Sequence, residues 1–249
     1  MEFIMTVDAL HFVCKNTVAA EKAIESFRKF NPTSTYVVIC DGGEDHSAIC
    51  KKYNCEYIHS NKHIGYPQIP HGFYLPELTE YLNRFSTAVS MCKSSHILIM
   101  EDDVHIINNI NINPEDEMLV TNNCLGNYIH PSIVYFLSNL ARTTVDNIYG
   151  MGGGSIFKKE SFEIAYKKMK PIIDLNFEEM QKIYPTIGWT DCIISFILMG
   201  IGKRHKVNPQ MHELTSWGQD YSKINYNNID ELYNKGISIL HHYKKYYNF

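Results

Sequence analysis

The chain has 249 residues, 45% of them hydrophobic, and a formal net charge of −4. That length and apolar content suffice for one large α/β domain with a substantial core. No basic stripe is present, which argues against a nucleic-acid partner, and a negative protein that binds a diphosphate needs a local source of positive charge.

In chain order, the apolar stretch Leu10-His11-Phe12-Val13-Cys14 predicts a strand. Ala20, Ala23, Ile24, Phe27 and Phe30 follow at helical spacing until Asn31-Pro32 stops the helix. The β-branched run over residues 35–40 predicts a strand buried on both faces, ending in the tight turn Asp41-Gly42-Gly43. A helix over 47–53 and a strand over 55–59 come next, then a loop over 60–74 rich in Pro, Gly and His. Pro76-Glu77 open another helix, with Leu78, Tyr81, Leu82, Phe85, Val89 and Cys92 as its apolar face. The strand His96-Ile97-Leu98-Ile99-Met100 then delivers Glu101-Asp102-Asp103 at its carboxyl end. Such alternation predicts an α/β fold with a mostly parallel, doubly wound sheet, whose ligands bind beyond the carboxyl ends of the strands. Asp41 and Glu101-Asp102-Asp103 both fall at such ends.

The second half is less regular. Residues 131–140 read as a helix, and 147–157 as two short extended pieces around Gly150-Met151-Gly152-Gly153-Gly154. Helices are expected over 161–169 and 177–184, and Thr190 is placed to cap an apolar helix ending at Gly200 or Gly202. The tail carries His241-His242-Tyr243-Lys244-Lys245. No repeat, low-complexity tract or linker interrupts the chain, so a single domain is expected, with halves 1–110 and 111–249. The seven cysteines (Cys14, Cys40, Cys50, Cys55, Cys92, Cys124 and Cys192) contain no CxxC pair and read as reduced, mostly buried residues. No positive segment precedes a long apolar core at the N-terminus, and the apolar run over 192–201 is too short to span a bilayer. The expectation is a soluble cytoplasmic protein without a signal peptide or membrane span. Abundant Asn, Ile, Lys and Tyr suggest an AT-rich genome, such as that of a protist or a large DNA virus.

Three successive carboxylates behind a buried strand repel one another and raise each other's pKa, a cost that a bound cation relieves. Hard oxygen ligands suit Mg²⁺ or Mn²⁺. In extended chain Glu101 and Asp103 share a face while Asp102 turns away. The competing reading is an acidic surface turn.

With these residues in view, the segment over 96–104 resembles the DxD region of GT-A glycosyltransferases in its EDD form, known from N-acetylglucosaminyltransferase I. The resemblance implies a Rossmann-like GT-A domain, its half 1–110 binding the nucleotide sugar and its half 111–249 the acceptor. It implies Asp103 as metal ligand, with Glu101 and Asp102 facing donor sugar and ribose. Asp41 would meet nucleobase or ribose, and it equally fits an Asx turn before Gly42. Residues 61–65 and Asn83-Arg84 resemble the loop and helix before the DxD strand; Arg84 suits a diphosphate, with a solvated helix face the slightly preferred alternative. Residues 150–155 resemble the acceptor-side glycine strand, and no GxxxxGK[ST] phosphate loop is present. Gly188-Trp189-Thr190-Asp191 resembles the segment bearing the catalytic acid of inverting members, with Thr-Asp where family patterns often have Glu-Asp. Asp191 in a first helical turn would be held ionised, ready to take a proton. One of His241 and His242 would complete the metal shell, and Lys244 would meet phosphate.

The implied activity is transfer of a hexosyl or N-acetylhexosaminyl group from a UDP- or GDP-sugar to a glycan, protein or small-molecule hydroxyl, dependent on Mn²⁺ or Mg²⁺, with inversion. The alternatives are a retaining enzyme of the same fold and an inactive nucleotide-sugar-binding protein. A sugar-phosphate nucleotidyltransferase would need a Gly/Arg-rich loop where Lys15-Asn16-Thr17-Val18 stands.

Overall fold

A computed structural model describes residues 6–13, 16–60, 62, 74–121, 129–145, 150–215 and 219–247. Cys14, Cys124, Lys15, residues 61 and 63–65, and residues 147–149 of the readings above lie outside them. The strands are β1 (Val7–Val13), β2 (Tyr36–Cys40), β3 (Glu56–Ile58), β4 (His96–Met100), β5 (His105–Ile106), β6 (Met118–Val120), β7 (Ile156–Lys158), β8 (Lys206–Val207), β9 (Met211–Glu213) and β10 (Ile239–His241). The helices are α1 (Thr17–Phe30), α2 (Ser47–Lys52), α3 (Leu75–Met91), α4 (Pro131–Ala141), α5 (Lys159–Ile183), α6 (Thr190–Met199) and α7 (Ile229–Asn234).

Seven strands form one sheet in the order β3-β2-β1-β4-β7-β6-β8, with every pair parallel except the two made by β7. The expected α/β class, with a mostly parallel sheet flanked by helices, is therefore present. Alternate residues feed two cores. Leu10, Val37, Ile97 and Ile99 meet α3, α5 and α6 on one face, while Ala9, Val38, Leu98 and Met100 meet α1 on the other. Phe85 of α3 is the aromatic hub of the first core, stacked on Phe12 and Phe157 at centroid distances of 6.1 and 5.8 Å. A second sheet of three short strands, β5-β10-β9, sits beyond the carboxyl end of β4. Among the described residues no helix is long and apolar enough to cross a membrane, and none of the described cysteines forms a disulfide.

Three sequence expectations change. The helices expected over 161–169 and 177–184 are one helix, α5, with Pro171 inside it. Ser161, Phe162, Ala165, Met169, Ile173, Phe177 and Met180 keep one buried stripe along its length, and that continuous packing overrides the local penalty of the proline. Thr190 is the first residue of α6, and the capping position is Trp189, so no hydroxyl caps that end. Of the region 147–157, the extended piece is β7, while 150–155 is a loop held against β4 by bonds from the Gly154 amide to the Ile99 carbonyl and from the Ile99 amide to the Ser155 carbonyl, each 2.8 Å.

Asp8 fixes how β1 meets its neighbours. Buried inside β1, its carboxylate accepts from the Thr35 amide at 2.8 Å, the Lys93 and Ser94 amides at 2.5 and 2.7 Å, and the Ser94 hydroxyl at 2.9 Å. These donors lie just ahead of β2 and β4. Asp8→Ala leaves three backbone N–H groups without their acceptor, each worth about 1–3 kcal/mol. The expected loss in a urea-unfolding experiment is at least ~3 kcal/mol, and a loss below ~1 kcal/mol would show that the carboxylate is not what ties these strands together.

Candidate functional site

The acidic run leaves β4 in a sharp turn closed by a 3.0 Å bond from the Val104 amide to the Glu101 carbonyl. The turn separates the three side chains. Asp102 goes one way: its Oδ1 lies 2.9 Å from Nε2 of His11, whose Nδ1 lies 2.9 Å from the Tyr36 hydroxyl. One tautomer satisfies every group, with Tyr36 donating to Nδ1 and the Nε2–H donating to Asp102. His11 and Tyr36 are wholly buried, so this chain fastens the turn to the core.

Glu101 and Asp103 go the other way and meet His241. Nε2 of His241 lies 3.8 Å from Glu101 Oε2 and 3.7 Å from Asp103 Oδ1. Strand pairing explains how residues so far apart in sequence converge. β10 runs antiparallel to β5 with Leu240 opposite His105, which sets His241 beside the end of the acidic turn. The Tyr243 amide then donates to the Asp103 carbonyl at 2.8 Å. One ligand atom from each of Glu101, Asp103 and His241 can be chosen so that all lie within 4.8 Å of one another, and the same holds for Glu213, His241 and His242. Two carboxylates and an imidazole are a fitting donor set for Mn²⁺ or Mg²⁺.

Electrostatics match this crowding. Burial penalises the charged imidazolium of His241, yet Asp103, Glu101 and Glu213 outweigh it and raise its pKa well above the ordinary histidine value. Burial also penalises the Asp103 carboxylate, but His241 and Lys244 hold it below the usual range. Lys244 Nζ pairs directly with Asp103 Oδ2 and lies over the rings of Tyr247 and Tyr221 at 4.6 and 5.2 Å. His242 points elsewhere: its Nε2 is 3.3 Å from Glu213 Oε2, and burial with the neighbouring His241 charge lowers its pKa.

Asp191 and this cluster both pack against Gly152-Gly153. A Cβ on Gly152 would meet Asp191 Oδ2 at 2.8 Å, and one on Gly153 would meet Glu101 Cδ at 2.9 Å and His241 Nε2 at 3.0 Å. A side chain at either position would displace one of these groups, so the bare backbone of the two glycines is what leaves room for them. The Gly153 amide donates to Glu101 Oε1 at 3.0 Å, fixing that carboxylate. Asp191 lies in the first turn of α6, where the sequence put it. Burial, with repulsion from Glu101 second, pushes its pKa up to about 6. The helix start does not keep this acid at its ordinary value; removal from water is the larger effect.

Asp41 and Arg84 come together at the carboxyl end of β2, with Arg84 Nη1 3.6 Å from Asp41 Oδ1. Arg84 is buried, not solvated. It donates to Glu80 at 2.9 Å, to the Cys40 carbonyl at 3.2 Å, to the Ser60 hydroxyl at 2.7 Å and to the Lys62 carbonyl at 3.0 Å. Every nitrogen of its guanidinium is engaged on a protein acceptor, so it braces the turn after β2 and the start of the following loop. The sequence reading passed over Glu213 and the His11–Tyr36 pair. A histidine inside the apolar stretch of β1 was a usable signal. Glu213, in a strand of three residues, carried none.

No family model and no curated protein sequence matches the chain. Solved structures do match, and those compared are glycosyltransferases or related proteins by name. The galactosyltransferase LgtC, solved with donor and acceptor sugar analogs, is 12% identical over 94% of this chain and 86% of its own, with a TM-score of 0.48. Mouse xyloside xylosyltransferase 1 is 10% identical over 94% and 97%, also at 0.48. S. aureus TarS is 14% identical over 65% of this chain, which spans only 30% of TarS, at 0.40. Identities this low transfer no residue's role, and fold alone does not fix function.

The close approach at Gly153 gives a direct test of the cluster. In Gly153→Ala the new methyl forces Glu101 or His241 aside, and the carboxylates that hold the imidazolium charged are drawn away. The expected result, by NMR titration of the His241 ring in the metal-free protein, is a pKa that falls back toward the ordinary histidine range. An unchanged titration would mean that the three groups do not form one unit.

Proposed function

We propose that the chain is a divalent-metal-dependent GT-A glycosyltransferase that moves a sugar from a nucleoside-diphosphate donor to an acceptor hydroxyl with inversion. The observation that carries the reading is the convergence of Glu101, Asp103 and His241, with Asp191 packed against the same Gly152-Gly153 backbone. Glu101, Asp103 and His241 would hold Mn²⁺ or Mg²⁺, which when bound offsets the charge of a diphosphate and of the leaving nucleotide. Lys244 adds an ammonium on the same side, suited to phosphate once it is no longer engaged with Asp103. Asp102, fastened by His11, and Asp41, braced by Arg84, offer acceptors to ribose or base.

The chemical step assigned to the protein's own groups is proton transfer. The acceptor oxygen attacks the anomeric carbon, the bond from that carbon to the phosphate oxygen breaks with its electron pair leaving on the nucleotide, and Asp191 takes the hydroxyl proton. A carboxylate raised by burial is a stronger base than one in water, and so better matched to this task near neutral pH. Relative to the sequence reading, Glu101 moves from the sugar to the metal, and His241 is preferred over His242.

A screen of nucleotide sugars with Mn²⁺, read by release of nucleoside diphosphate, identifies the donor. With that donor, Asp191→Asn is expected to cut turnover by about 10²–10⁴-fold while donor binding by calorimetry persists. Full turnover in that variant would remove Asp191 from the mechanism, and a product of retained anomeric configuration would replace inversion with retention. Asp103→Ala and His241→Ala should lose metal-dependent donor binding. His242→Asn, at a position with φ of 59° that asparagine tolerates, should keep it.

A further inference from the structure

We infer that Glu213 is a positioning residue for His241, setting which ring nitrogen faces the acidic pair and in what orientation. The inference rests on the proposed metal site and extends it to a residue outside the Glu101-Asp103-His241 set.

The fold sets Glu213 beside His241. β9 and β10 pair in parallel with His241 in register with Glu213, and side chains in register on adjacent strands project to the same face. Glu213 Oε1 lies 2.9 Å from His241 Nδ1. The opposite nitrogen, Nε2, is the one that reaches Glu101 and Asp103, at 3.8 and 3.7 Å. The imidazole is therefore held at both ends, with a carboxylate behind it and two carboxylates in front.

An ionised carboxylate can only accept, so the atom it faces must carry a proton. Glu213 thus keeps the proton on Nδ1, so that when the ring gives up one proton Nε2 is the nitrogen able to offer a lone pair. Imidazoles that ligate metals commonly give their other N–H to a carboxylate, which fixes the tautomer, orients the ring and raises its basicity. Neither neighbour supplies a substitute. His242 approaches the other oxygen, Oε2, at 3.3 Å, and Lys244 is engaged with Asp103. The side chain of Glu213 is only 9% exposed, so water is a poor replacement acceptor.

The test measures uptake of Mn²⁺ by the full chain, alone and with uridine diphosphate, from the loss of the free-ion electron paramagnetic resonance signal. Glu213→Ala is expected to weaken Mn²⁺ binding by about 10–100-fold. Glu213→Gln retains an oxygen that can accept from Nδ1–H but lacks the charge, so it should fall between Ala and wild type, and it covers the case in which the alanine variant does not fold. A double-mutant cycle separates positioning from general loosening: in a His241→Ala background, removing Glu213 should cost no further affinity. ¹⁵N spectra of metal-free wild type should show a proton on Nδ1 of His241, with Nε2–H population rising at its expense in Glu213→Ala at high pH. If wild type takes up Mn²⁺ and Glu213→Ala takes it up equally well, or if the two losses simply add, Glu213 does not act through His241, although the metal site stands. If wild type takes up no Mn²⁺ under either condition, the metal site itself falls, and this role for Glu213 with it.

Discussion

Too many carboxylates share too little water at the end of β4. Glu101 and Asp103 face one imidazole, Glu213 approaches that imidazole from behind, and Asp191 packs against the neighbouring glycine. Left alone, such a set would protonate or push apart. The protein's own positive charge that restrains it comes from His241 and Lys244, both delivered by the last strand and the residues after it. The small β5-β10-β9 sheet makes that delivery possible. Its strands have two or three residues each, too few to matter as an independent sheet, yet they bring the end of the chain to the end of β4 in a fixed register.

The larger sheet has a different task, which is to hold the ends of β1, β2 and β4 level. Asp8 ties the starts of β2 and β4 to β1 through backbone amides. His11 and Tyr36 tie the acidic turn back to the interior. Arg84 closes the turn after β2 onto α3. Each of these is a buried polar group with several partners, and each reaches a place where a strand begins or ends. The apolar faces fix which side of the sheet a residue occupies, and these polar ties fix how far along it the loops emerge.

What could be read from the residues follows the length of each element. β4 was legible to the residue because His96 and four apolar residues end abruptly in three acids. The face of α3 was legible from its spacing. Asp191 was legible because an acid opens an apolar helix. β5, β6, β8 and β9 have two or three residues, too short for alternation to register, and Glu213 is hidden for that reason. The choice between His241 and His242 could not be made from two adjacent histidines. It follows from pairing with β5 and β9, which is long-range information. Arg84 was misjudged as open to solvent because a helix position does not reveal which loop folds over it.

Asp103 and Asp191 show how one kind of side chain acquires opposite proton affinities. Asp103 is buried and Asp191 half-buried, and loss of water alone would raise both. Asp103 is held low because His241 and Lys244 lie against it. Asp191 is pushed up to about 6 because burial dominates there and Glu101 adds repulsion, more than His241 offsets. Carboxyl groups whose environments separate their proton affinities can divide labour, one remaining a permanent anion and the other exchanging a proton near neutrality. The separation follows from which charges lie nearest: His241 and Lys244 against Asp103, Glu101 beside Asp191. Gly152 and Gly153 carry no side chain to come between these groups, so Asp191, Glu101 and His241 pack against one short stretch of backbone. A phosphate held through a cation at Asp103 and a hydroxyl beside Asp191 would then meet within that short stretch, the proximity a displacement reaction requires.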